Sequence, residues 1–474
     1  MNTAITRPAI RAAAILAAAL LLATLTPGTS RAESPPHETP TGLGSQETTL
    51  HNAGPSLNAT ILSPLDGARR HPAIVLVQGA GPGARGQYRT EAEAMARAGF
   101  VVLSYDKRTV GYSQTQRSYR LLADDALAAV QTLRTSPGVD PDRVGLWGFS
   151  EGGWVAPLAA AQSPDVKFLV LVGASGVSPA RAQAWYLTNK LRRTGVRGSM
   201  LGPIAQSGTR LMADAGLFPE ADHDAAGALA RLQQPVLALW GGQDHQEPPL
   251  ESSRILQDAL RQAGNNRSTI HFFPDAEHKL HTTTDGFDRG ADLTPGYVPL
   301  MARWVADLPD VAPSADTGTP PRQDFASPEL APAPWYRTYG VQLALLLVLL
   351  TSFTTYPLVA LLRRLRGRRT APPAALSARL LSATGAVATL GFTLYLLYVQ
   401  ATMDAGPVIA GRAVVWLTLQ LLAGVTVAAT IATAAQWWRS TSQATALLRI
   451  RLGLLVTGGL AFLPWAASWG LLTP

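Results

Sequence analysis

Ser150 sits in the run Gly148-Phe149-Ser150-Glu151-Gly152-Gly153, after an apolar stretch and before a helix-like one. Glycines two residues before and two after a serine allow a tight strand-to-helix turn, because no Cβ is there to clash. Such a turn exposes the hydroxyl above the end of a sheet. An alcohol is a poor nucleophile near neutral pH, so it needs a base, and the base needs an orienting carboxylate. Where this arrangement is built on a strand-to-helix turn, the acid and then the histidine follow the serine along the chain. The stretch 235–240 ends in Gly241-Gly242-Gln243-Asp244, and 269–273 runs into Pro274-Asp275-Ala276-Glu277-His278. Ser150, Asp244 and His278 are therefore the expected triad for acyl transfer. His281 is an alternative base, and Glu247 or Asp275 an alternative acid. His245 reads as a loop residue, and His223 as an exposed histidine that could touch substrate.

Attack on a carbonyl creates an oxyanion that needs donors already aimed at it. The Glu151 N–H, next after the nucleophile, is one expected donor. The glycine-rich run Gln78-Gly79-Ala80-Gly81-Pro82-Gly83 supplies the other, with Ala80 expected first and Gly79 second. The run lacks the Gly-Lys-Ser/Thr ending of a phosphate cradle, which argues against nucleotide binding. This chemistry needs no metal or organic cofactor. The chain has no cysteine, which excludes disulfides, a thiolate nucleophile and Cys-ligated zinc.

These residues must be carried by strands and helices. Stretches 73–78, 100–105, 143–147, 167–172, 235–240 and 269–273 are strand-length and almost continuously apolar, the pattern of strands buried on both faces of a parallel sheet. Helix-like stretches such as 121–135 and 152–162 provide the crossovers. An α/β domain over 48–308 is expected. The connection 173–234 is too long for a simple crossover and reads as a cap over the active site. Residues 33–47 read as a disordered lead-in and 309–334 as a proline-rich linker too polar to pack.

The 474 residues are 47% apolar and 15% charged with a net charge of +8, but the charge is unevenly placed. Residues 33–334 carry 26 basic against 31 acidic side chains, a net of −5, whereas residues 335–474 carry 11 arginines and one acid, Asp404. The basicity is topogenic and does not mark a nucleic-acid partner. Arg7 and Arg11 ahead of an apolar run, then Ser30-Arg31-Ala32, read as a signal peptide over 1–32 cleaved after Ala32, or as an uncleaved signal anchor. Stretches 341–362, 380–400, 413–435 and 452–472 are long and apolar enough to span a bilayer, giving an all-α transmembrane domain over 335–474. Six arginines in the first connection and three in the third place those loops in the cytoplasm, and the body outside it. Small-residue runs such as 453–459 could pack helices together or support a homo-oligomer.

Two further segments, Tyr105-Asp106-Lys107-Arg108-Thr109-Val110-Gly111-Tyr112-Ser113 and Gly145-Leu146-Trp147-Gly148-Phe149-Ser150-Glu151-Gly152-Gly153-Trp154, carry a family resemblance. The body resembles bacterial α/β-hydrolases close to the dienelactone-hydrolase-like and acyl-thioester-hydrolase-like esterases and their prolyl-oligopeptidase-like relatives. The resemblance covers a little over half of the chain. It implies an α/β-hydrolase sheet and the triad Ser150, Asp244 and His278. Two positions depart from the family pattern: Gln78 stands where many relatives have a histidine, and Thr109 where they have a glycine, so a positive φ at 109 would be strained.

The expected activity is hydrolysis of a carboxylic ester by an extracytoplasmic, membrane-tethered serine hydrolase acting on a small acyl substrate. The alternatives are an exopeptidase or acyltransferase with the same triad, or a non-catalytic membrane sensor or scaffold. Intramembrane ionisable residues are too few to suggest a transporter.

Overall fold

The computed structural model describes residues 42–52, 54–67, 70–308, 315–317, 319–321, 323–367, 375–440 and 446–473. The expected signal peptide lies outside the described residues. Nine strands form one sheet in the order β1-β2-β4-β3-β5-β6-β7-β8-β9. They are β1 (Leu43–Leu50), β2 (Leu57–Pro64), β3 (His71–Val77), β4 (Val101–Tyr105), β5 (Val139–Phe149), β6 (Phe168–Val172), β7 (Val236–Gly241), β8 (Ser268–Phe273) and β9 (Ala315–Thr317). From β4 across to β9 every pairing is parallel, and β1 and β2 join antiparallel.

Alternation along the strands divides the core between the two faces. Ala73, Val75 and Val77 face one apolar cluster, with helices α2 (Tyr119–Arg134) and α3 (Gly152–Gln162). Ile74 and Leu76 face the other, with α1 (Arg89–Arg97) and, after the last long strand, Tyr297, Met301 and Val305. Residues buried on both faces give the continuous apolar runs seen in the sequence.

Two stretches expected to be unstructured are ordered. Residues 43–47 belong to β1, whose polar sequence LGSQETTL hides an edge strand because only Leu43 and Leu50 are buried. The expected linker also packs: 315–317 pairs with β8, and Ser327 donates to Glu251 and accepts from Arg181 at 2.5 and 2.6 Å. Its few buried groups are bound by hydrogen bonds, which hydropathy does not register.

The stretch between β6 and β7 is helical. It comprises α4 (Pro179–Arg193), a π-helix over Gly202–Gly208, α5 (Thr209–Asp214) and α6 (Ala225–Leu229). The next helices are α7 (Pro249–Gln262) and α8 (Tyr297–Ala306). Four long apolar helices follow: α9 (Tyr339–Leu365), α10 (Ala375–Thr402), α11 (Val414–Ser440) and α12 (Ala446–Ser468). Each is long enough to cross a bilayer. Arg337 donates to the Ser468 carbonyl at 2.9 Å, which brings the start of α9 beside the end of α12. That end of the bundle also carries the 403–413 turn between α10 and α11.

Candidate active site

β5 ends at Phe149, α3 begins at Gly152, and Ser150 between them has φ 52°, a left-handed conformation that a serine adopts only under constraint. The Ser150 N–H donates to the Val172 carbonyl at 3.0 Å. A Cβ on Gly152 would run into the Val77 carbonyl, so only glycine lets the new helix start this close to β3. The hydroxyl is thereby held at the carboxyl edge of the sheet.

Asp244 follows β7 and His278 follows β8, both at that same edge. Asp244 Oδ2 lies 2.8 Å from His278 Nδ1, and the two residues are only 3% and 2% exposed. The other oxygen, Oδ1, accepts from the Gln246 and Glu247 N–H groups at 2.8 and 3.0 Å, so the carboxylate cannot rotate away. The His278 ring packs against Phe149, with centroids 4.9 Å apart. It also abuts Gly173, where an added Cβ would sit 2.7 Å from Nδ1. Val172, which binds the Ser150 amide, is the residue before Gly173. Burial pulls the imidazole pKa down, but the Asp244 charge and hydrogen bond outweigh it and the net shift is upward.

The alternatives lie elsewhere or have other contacts. His281 uses Nδ1 on the Gly290 carbonyl and Nε2 on Glu91, at 3.0 and 2.9 Å. Asp275 is exposed. Glu247 is buried beside the pair, and desolvation pushes its carboxyl up to about 8. His245 stacks on Phe287. His223 is not the exposed residue expected: it packs edge-on against Tyr119, which stacks on Trp154. An isolated histidine in a polar stretch gives no sign of that aromatic shelf.

The glycine-rich loop lies against the elbow, a Cβ on Gly79 falling 3.3 Å from that of Ser150. The Gly79 N–H is taken by the Tyr88 hydroxyl at 2.9 Å, and the Gly81 N–H by the Tyr112 hydroxyl at 3.0 Å. Among the described residues the Ala80 and Glu151 N–H groups have no protein acceptor. Of the two loop amides expected as donors, Gly79 is occupied and Ala80 is free. Gln78 turns its side chain inward and donates to the Tyr105 carbonyl. Thr109 avoids positive φ, and Gly111 at φ 75° takes the left-handed position in that loop.

Sequence reasoning missed what supports this loop. The Glu151 side chain is fully buried and accepts from Lys107 Nζ and the Tyr112 hydroxyl on Oε1, both at 2.8 Å, while Arg117 Nη1 lies 2.8 Å from Oε2. Lys107 also donates to the Gly79 carbonyl. Burial lowers the Lys107 pKa, and Glu151 opposes that shift. Two cations around one carboxylate leave a net positive charge beneath the free amides, the sign that favours an oxyanion. The available signal was Lys107 itself, a lysine two residues after a strand buried along its whole length.

Residues 87–294 match the model described as the prolyl oligopeptidase family. The globular part of this chain has the mostly parallel sheet and the strand-to-helix serine turn of an α/β-hydrolase fold. Over 229 residues it is 26% identical to the Escherichia coli "Uncharacterized 31.7 kDa protein in traX-finO intergenic region", covering 41% of this chain and 80% of that protein. Over 105 residues it is 35% identical to "Thiohydrolase apmlB" of Arthrinium phaeospermum, covering 21% of this chain and 34% of that one. The dienelactone hydrolase structure from Anabaena variabilis aligns with TM-score 0.34 at 19% identity, over 56% of this chain and 97% of its own. Among the described residues no group of three or more His, Asp or Glu could hold a metal ion.

Proposed function

We propose that this α/β-hydrolase cleaves carboxylic esters through an acyl-enzyme on Ser150, on the extracytoplasmic side of a membrane. The observation that carries the reading is the buried Asp244–His278 pair, 2.8 Å apart, at the sheet edge that bears a serine at φ 52°. His278 removes the Ser150 proton as Oγ attacks the acyl carbonyl, and Asp244 holds the imidazole tautomer and stabilises the imidazolium. The oxyanion is received by the Ala80 and Glu151 N–H groups. Collapse expels the alcohol with the proton from His278; a water, deprotonated by the same base, then attacks the acyl carbonyl, and His278 returns that proton to Ser150 Oγ as the acid leaves.

The full chain, purified in detergent, tests this with a fluorophosphonate probe and p-nitrophenyl acetate. Labelling and turnover that vanish in Ser150→Ala are expected; labelling that persists in that variant refutes the assignment. The identity to a thiohydrolase makes thioesters the second substrate class, and acyl-thioester and oxygen-ester analogues of equal chain length separate the two. The orientation follows from the arginine-rich connections. A reporter enzyme active only outside the cytoplasm, fused after Pro474, is expected to be active, because an even number of spans returns the C-terminus to the side of the body.

A further inference from the structure

Lys279, the residue after the base, is a buried cation outside the triad. An ammonium has three N–H groups to place. Its Nζ lies 2.7 Å from Glu91 Oε1 on α1, donates to the Gln87 carbonyl at 3.1 Å, and sits 4.2 Å from the centre of the Tyr88 ring. Glu91 is fully buried, and the same oxygen faces His281 Nε2 at 2.9 Å. Tyr88 is the residue whose hydroxyl accepts from the Gly79 N–H at 2.9 Å. Its ring packs edge-on against Trp147 and Phe149, with centroids 5.9 and 6.2 Å apart, and the His278 ring packs on Phe149 in turn.

The turn that carries His278 sends these neighbours to different partners. Leu280 is fully buried with φ 63°, a conformation that a leucine takes only under constraint. The Glu277 side chain supplies the constraint: Oε1 accepts from the Lys279 and His281 N–H groups at 2.9 and 3.1 Å, and Arg289 donates to Oε2 at 3.2 Å. His278 therefore does not depend on the Lys279 ammonium for its place, since Asp244, Phe149 and Gly173 hold its ring and Glu277 holds its turn. A buried ion pair adds little net stability, because desolvation offsets its attraction. What the Glu91–Lys279 pair does fix is the Tyr88 ring.

The effect reaches Ala80 through one peptide plane. The Gly79 carbonyl and the Ala80 N–H belong to the same trans peptide and point in opposite directions. Lys107 takes that carbonyl and Tyr88 takes the Gly79 N–H, so the glycine is gripped at both ends and the free Ala80 N–H has one direction left. We propose that Lys279 and Glu91 are positioning residues for the oxyanion, acting through Tyr88 and Gly79 to aim the Ala80 N–H. This rests on the acyl-enzyme reading above and deepens it: the turn that presents the base also holds the donor for the charge that the base creates.

The test uses the full chain in detergent with p-nitrophenyl acetate and a trifluoromethyl ketone, whose hemiketal oxygen takes the place of the oxyanion. Lys279→Met is expected to lower kcat by about 10- to 10²-fold with KM little changed, and to weaken the ketone by the factor lost from kcat/KM. A mere loss of folded protein lowers kcat and leaves the ketone's affinity where it was. Tyr88→Phe, which removes only the hydroxyl on the Gly79 N–H, should give a loss of the same size. Lys279→Met added to Tyr88→Phe should then cost less than about twofold more, because both act through one bond. Losses that multiply, or a ketone affinity that stays constant in Lys279→Met, overturn the proposal and leave the hydrolase reading standing while fluorophosphonate labelling still requires Ser150. Absence of Ser150-dependent labelling in the unsubstituted protein removes both readings. If Lys279→Met does not fold, Glu91→Gln, which keeps the side chain's shape and removes the charge that holds the ammonium, is read the same way.

Discussion

Lys107 Nζ lies 2.8 Å from Glu151 Oε1, and neither side chain is more than 5% exposed. The contact joins the loop after β4 to the residue that follows the nucleophile. It therefore sets the position of the Gly79 carbonyl relative to the Glu151 N–H. Losing Lys107 leaves the buried Glu151 carboxylate to Arg117 alone and removes the lysine's bond to the Gly79 carbonyl.

Lys107→Met is expected to lower kcat on p-nitrophenyl acetate by about 10²-fold, the scale of displacing an oxyanion donor, with KM little changed. Lys107→Arg, which can still reach both oxygens, should recover much of the loss. Steady-state kinetics on protein with unchanged circular dichroism check this. A proportional rise in KM with constant kcat would assign Lys107 to substrate binding instead.

Asp244→Asn should leave fluorophosphonate labelling detectable but slow turnover by about 10³–10⁴-fold, because the imidazole loses its tautomer and its counter-charge. Gly173→Ala should act on the same pair from behind, since its Cβ would meet His278 Nδ1 and its φ of 53° disfavours any side chain. Labelling rates for the two variants measure this.

The net upward shift of His278 sets the acid limb of the pH profile. The base works only when neutral, so kcat/KM should fall as pH drops through a midpoint above the ordinary histidine value of about 6.5. Removing the Asp244 charge lowers the imidazole pKa, so in Asp244→Asn the midpoint should move down. A pH–rate series on wild type and variant decides it.

Glu247 should make the fold less stable as pH rises. Its folded pKa, about 8, lies above the unfolded carboxyl value, so its contribution is fully present below the unfolded value and lost as pH rises through the folded one. Gln does not titrate. Glu247→Gln should therefore match wild type near pH 4 and melt higher at pH 8–9, by about 2–4 °C for each kcal/mol relieved. Thermal unfolding at the two pH values tests it.

Ser150, Asp244 and His278 were legible in the sequence because each follows a run of apolar residues at the end of a strand, and strand ends in a parallel sheet meet at one edge. The four long apolar helices were legible because hydropathy acts residue by residue. The ordered edge strand 43–47 and the packing of Ser327 were not, because both depend on hydrogen bonds with partners distant in sequence. Nor could the sequence tell that Gly79's amide is occupied while Ala80's is free, since that turns on hydroxyls from Tyr88 and Tyr112. The largest difference concerns the cap. Its length announced an insertion, but Leu187 and Leu191 look alike whether they cover a pocket or a membrane bundle. Only the fold gathers them into one buried cluster with Phe392 and Trp465, because burying apolar surface has no direction until the chain supplies the partner.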